Sequence, residues 1–233
     1  MTRLLTTMRL DAIVQFRNRF YYIGIGVSLV LAAILSAFFS GEDLARAIPM
    51  FFLFAVGGTA LLYAAGLLIF EKDEGTLDAM NISPLRRWEY LTSKALTLGL
   101  LAFVEAMVVV LLTVGFGGYN VLLLIMGVIL MALIHTFLGI ALVVRYNSIT
   151  DFLMPAAAIV LVLEMAFLYF LDIFPNPLML VLPSAAPTML MWGAWHPLEI
   201  WEWVYGIGYS ILWIGISAYW AMRAYNRYIV LKV

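Results

Sequence analysis

The chain has 233 residues, 65% of them hydrophobic and only 12% charged, with a mean hydropathy of +1.04. Soluble domains are about 45–50% apolar and about 25% charged, because polar side chains must cover their surface, so a soluble globule is excluded and lipid is the main solvent. Thirteen Lys+Arg against fourteen Asp+Glu exclude a field that gathers nucleic acid, and the absence of cysteine, with only His135 and His196, excludes disulfides, a thiol nucleophile and thiolate or histidine-rich metal sites.

Residues 1–20 place Leu5, Met8, Ala12, Phe16 and Phe20 on one helical face, which predicts an amphipathic helix lying along the membrane. Arg9 and Arg19 interrupt that face and would have to snorkel, and the same residues also read as a plain basic topology anchor. No small-residue cleavage site follows the first apolar run, so that run is expected to remain as a signal anchor.

Six apolar runs follow: Tyr22–Phe39, Ile48–Phe70, Ala95–Val114, Val121–Val144, Phe152–Leu171 and Val204–Met222. Each is long enough for a helix to cross hydrocarbon about 30 Å thick, and the alternating segments of a barrel are missing. The expected fold is an all-α membrane protein with six transmembrane helices in a single domain, 1–233. The uncharged turn Gly115–Asn120 makes the third and fourth runs a helical hairpin. Twelve of the thirteen basic residues fall before the first run, between the second and third, between the fourth and fifth, or after the sixth, and only Arg46 falls on the other side. By the positive-inside rule both termini are cytoplasmic.

Three polar regions connect or flank these runs. In Glu71–Lys94, expected on the cytoplasmic side, Glu71, Asp73 and Glu74 lead into Gly75-Thr76 and a short helical piece Leu77–Asn81. Ser83 then caps a second helix with Pro84 at its first position, running through Trp88, Tyr90 and Lys94 into the third span. A short helix held there suits docking of a cytoplasmic partner, and an ordinary polar loop is the other reading. Asp172–Trp203, expected outside, contains five prolines, four tryptophans and the short apolar strings Leu178–Leu182 and Met189–Met191. It reads as a re-entrant pair of short helices shielded by protein, with tryptophans at the interface.

Catalytic motifs are absent. No glycine is followed by lysine, so there is no phosphate-binding loop, and neither GxSxG nor HExxH occurs. The chain is not expected to hydrolyse nucleotide itself. Inside the runs the ionisable residues are Glu105, His135 and Glu164, at depths of roughly 16, 15 and 20 Å from the cytoplasmic ends. The matching depths of Glu105 and His135 predict a buried pair. Such residues are either functional or structural polar clamps, or carry a neutral protonated carboxyl.

The run Glu71-Lys72-Asp73-Glu74-Gly75-Thr76-Leu77-Asp78-Ala79-Met80, followed by Ser83-Pro84-Leu85, Trp88-Glu89-Tyr90-Leu91 and Lys94, resembles the signature of ABC type-2 exporter permeases, with Met80 where Leu is common. Arg87–Leu91, Ser148–Phe152 and Pro175–Leu178 make it most similar to fluoroquinolone export permease subunits, over essentially the whole chain. The resemblance implies two permease subunits, identical or related, paired with two cytoplasmic ATPase subunits in a prokaryotic cell membrane. ATP and Mg would bind the partner, with no cofactor on this chain. Glu71, Asp73, Glu74, Gly75, Thr76, Leu77, Asp78, Ser83 and Pro84 would form the ATPase-coupling region, and residues 1–20 the connecting helix. The first, second and fifth spans would line the pathway, with Glu164 its preferred polar residue. Two alternatives use Glu105, His135 and Glu164 otherwise, in a proton-coupled secondary carrier or in an intramembrane enzyme.

Overall fold

The computed structural model describes residues 2–77 and 85–231, and every regular element among them is helical. Helix α1, Thr2–Arg17, ends at a break where Arg19 adopts φ +64°, and α2, Phe20–Phe38, starts immediately after. Helix α3, Gly41–Asp73, is followed by α4, Arg87–Thr113, and α5, Val121–Val143. The fifth run divides into α6, Ile149–Leu163, a 3-10 turn at Glu164–Ala166 and α7, Phe167–Phe170. A 3-10 turn at Pro177–Val181 leads to α8, Ala185–Trp192, and then to α9, Ile200–Tyr225.

Five of these, α2, α3, α4, α5 and Ile149–Phe170, are long and apolar enough to cross a membrane. The sixth run lies in α9, whose 26 residues suffice in length. Its Tyr205, Tyr209, Trp213, Tyr219 and Trp220 lower its hydropathy below that of the other five. The turn between α4 and α5 forms the expected hairpin: Gly115 and Gly118 take positive φ, and the Asn120 side chain caps α5 by accepting from the Leu122 and Leu123 N–H groups.

Helix α5 is the centre of the bundle, packed by α3, α4, α8 and α9. It is apolar all round, as a helix surrounded by others must be. Enclosure is uneven: 56–61% of the apolar window is buried in α3, α4 and α5, against 28% in α2 and 22% in Ile149–Phe170. These two segments are the most open of the five.

The ends of the helices segregate. One end carries Arg17, Lys72, Arg87, Lys94 and Arg145, joined by contacts among α1, α3, α4 and the end of α9. At the other end the Asn120 N–H donates to Ala194 O at 2.7 Å and Tyr119 stacks on Trp195. The proline-broken segment contributes two short helical pieces there, the 3-10 turn at Pro177–Val181 and α8. Helix α8 is almost wholly buried, and a Cβ at Gly127 on α5 would stand 2.7 Å from Pro187 O. Only glycine lets α8 lie that close.

Candidate functional site

Lys94, near the start of α4, is fully buried with an ammonium that has to be neutralised locally. Its Nζ lies 2.6 Å from Glu71 Oε1 on α3 and 3.1 Å from Asp11 Oδ1 on α1. The Tyr90 hydroxyl donates to Glu71 Oε2 and the Ser93 hydroxyl to Asp11 Oδ2. All four carboxylate oxygens therefore have a donor, the condition under which buried charge is tolerated. Gln15 Nε2 extends the contact by donating to Thr97 Oγ1 at 2.8 Å.

This arrangement sets the polar side of α1 against the bundle. Asp11 and Gln15 turn inward, while Leu5, Leu10, Ile13 and Phe16 are exposed, so Leu5 and Phe16 of the expected amphipathic face point away from the bundle. Bonding of the buried polar groups orients the helix, and its apolar residues remain free to contact lipid.

The residues of the 71–94 region have distinct placements. Glu71 is turned inward to Lys94, so its carboxylate does not present to a partner. Asp73 and Glu74 are exposed, and Glu74 pairs with Arg17 at 3.3 Å. Gly75 takes φ +67°, where a side chain would be strained, and closes α3 with its N–H on Lys72 O. The Thr76 hydroxyl donates to Glu71 O, and Leu77 is buried in the apolar core. Asp78, Ser83 and Pro84, and most of the short piece Leu77–Asn81, lie outside the described residues. The second helix starts at Arg87, with the Glu89 carboxylate accepting from the Arg86 N–H at 2.9 Å. Lys72 Nζ donates to Val144 O and Tyr146 O, both at 2.7 Å, and so covers terminal carbonyls of α5. Arg87 donates to Asn226 Oδ1 at 2.8 Å, beyond the end of α9.

Deep in the bundle the expected Glu105–His135 pair does not form. His135 Nε2 instead faces Glu164 Oε1 at 3.3 Å, and both side chains are fully buried. Glu105 is turned to α2, where a Cβ at Gly24 would collide with its carboxylate, and its other polar neighbour is Tyr63. Equal depth fixes height along the hairpin but not direction around each helix. Glu164 begins the 3-10 turn and its carboxylate occupies the notch left by Gly57 of α3. An apolar groove of about 620 Å³ lies on the open side between α2 and α3, lined among others by Tyr22, Val27, Val30, Phe51 and Phe54.

Apolar helices of spanning length around a buried, ion-paired frame define a multi-pass helical membrane protein. The family model described as the Fluoroquinolones export permease protein family matches residues 2–233, and the chain belongs to that family. It is 28% identical over 239 residues to the fluoroquinolones export permease proteins of two Mycobacterium tuberculosis strains, CDC 1551 / Oshkosh and H37Rv. The match covers 99% of this chain and 98% of each relative. An export role is what these names support.

Proposed function

We propose that the chain is the membrane-spanning subunit of an ATP-driven ABC exporter that moves a small amphiphilic compound, of the fluoroquinolone type, out of a prokaryotic cell. ATP and Mg bind and react on a separate cytoplasmic ATPase, present in two copies beside two permease subunits. Six spans place both termini and the basic end in the cytoplasm, and α8 with its flanking turns forms a re-entrant outer segment.

The observation that carries this reading is the ion-paired frame Asp11–Lys94–Glu71. It locks together three elements that border the 71–94 stretch: the surface helix α1, the end of α3 and the start of α4. Lys72 and Arg87 add the ends of α5 and α9. A push on this stretch is therefore delivered to four of the long helices at once, as conversion of ATPase closure into helix movement requires. The outward groove between α2 and α3 belongs in this scheme to the pathway, next to the second permease subunit.

Co-expression with an ATPase encoded beside the gene tests the assignment. The account expects the ATPase to be retained on tagged permease through purification in mild detergent. An isolated permease under conditions in which both proteins are made would contradict it.

A further inference from the structure

Every carboxylate oxygen around Lys94 has a donor, whereas neither oxygen of Glu164 has one. His135 Nδ1 lies 3.0 Å from Met131 O. A carbonyl only accepts, so Nδ1 carries the ring hydrogen, and in a neutral ring Nε2 presents a lone pair. That lone pair faces Glu164 Oε1 at 3.3 Å without hydrogen-bond geometry, and Oε2 is also without a partner. Three acceptors thus meet with no donor among them, at zero exposure. Such a group requires a proton or a cationic N–H to complete it.

We propose that His135 and Glu164 form an intramembrane cation-exchange site, which holds one proton when closed and releases it to take the N–H group of a positively charged substrate. This deepens the export reading and rests on it for the direction of movement. The balance is one for one: one cation enters, one proton leaves, and no other group is oxidised or reduced. The buried charge of the site is the same before and after, so neither state leaves an uncompensated ion in the bundle.

The surroundings supply the selectivity and the way in. From α3 the site is faced by Gly57, from α5 by His135, and beside it the Ser184 hydroxyl donates to Leu163 O. Among the described residues, His135 is the titratable side chain that acts on Glu164, so no second one competes for the cation. The carboxylate is carried on the least enclosed spanning segment, at the point where the helix tightens into a 3-10 turn. That segment rests mainly on α3, so an outward shift of it would be the way to part Glu164 from His135.

The test is equilibrium binding of ethidium to the purified permease in lipid nanodiscs from about pH 6 to about pH 8. Ethidium keeps a fixed positive charge over that range and carries N–H donors. Displacement of one proton makes its affinity rise with pH, approaching tenfold per unit where the site is proton-loaded. Glu164→Gln should bind more weakly and without that slope, while Glu105→Gln should keep it. If Glu164→Gln does not fold, proton release by the wild type into weak buffer decides instead, with up to one proton expected per ethidium bound. A flat wild-type profile, no proton release, no wild-type binding, or a slope that survives in folded Glu164→Gln would each overturn the proposal. The measurement uses the permease alone, so its failure leaves ATP-driven export standing, and loss of the ATPase partnership would leave the pH slope intact.

Discussion

Lys94 is the residue on which the cytoplasmic end depends most. Removing its charge in Lys94→Met strands two buried carboxylates, which costs about 3–5 kcal/mol when one partner of a buried ion pair is lost. Thermal unfolding in detergent should show a large drop for this variant. Arg17→Ala breaks only an exposed pair and should change stability by less than about 1 kcal/mol. Neutralising the whole group at once, as Asp11→Asn, Glu71→Gln and Lys94→Met together, should recover much of the loss, because no unpaired charge remains. Equal melting of Lys94→Met and wild type would remove the frame as a structural element. The sequence shows Lys94 and Glu71 inside one motif, but not Asp11, whose only local signal is an acid alone among the arginines of residues 1–20. His135 paired with Glu164 was equally hidden, because its helix is apolar on all sides and gives no direction to any face.

At the scale of elements, Asp73–Thr76 are exposed among the described residues of the proposed coupling region, with Glu74 held by Arg17 of α1. Glu74→Lys reverses a charge at this surface and places it beside Arg17, without touching the buried frame. It should weaken ATPase retention or uncouple hydrolysis from export while leaving the melting temperature nearly unchanged. Normal assembly and transport in this variant would show that the ATPase does not read this surface. The long helices were legible because runs of about 20 apolar residues admit few other structures. The inward face of α1 and the break at Glu164 were not legible, since both depend on partners distant in sequence. Short apolar strings such as Leu178–Leu182 and Met189–Met191 carry no period long enough to tell a 3-10 piece from an α-helix.

For the whole molecule, the proposed orientation rests on the segregation of basic residues. A cysteine placed at Asn176, in a chain that has none, should react with an impermeant thiol reagent added outside intact cells. Labelling only after permeabilisation would invert the topology. The open side of α2, with its apolar groove against α3, is where the second permease subunit is proposed to sit. The central claim is that this chain exports a drug-like amphiphile with energy from ATP hydrolysed elsewhere. Its most direct test is uptake of a fluoroquinolone into proteoliposomes holding the permease and its ATPase in inside-out orientation. The account predicts accumulation that requires ATP and Mg, is abolished by a lysine substitution in the ATPase phosphate loop, and persists when the proton gradient is collapsed. Accumulation driven by an imposed proton gradient without ATP would contradict it.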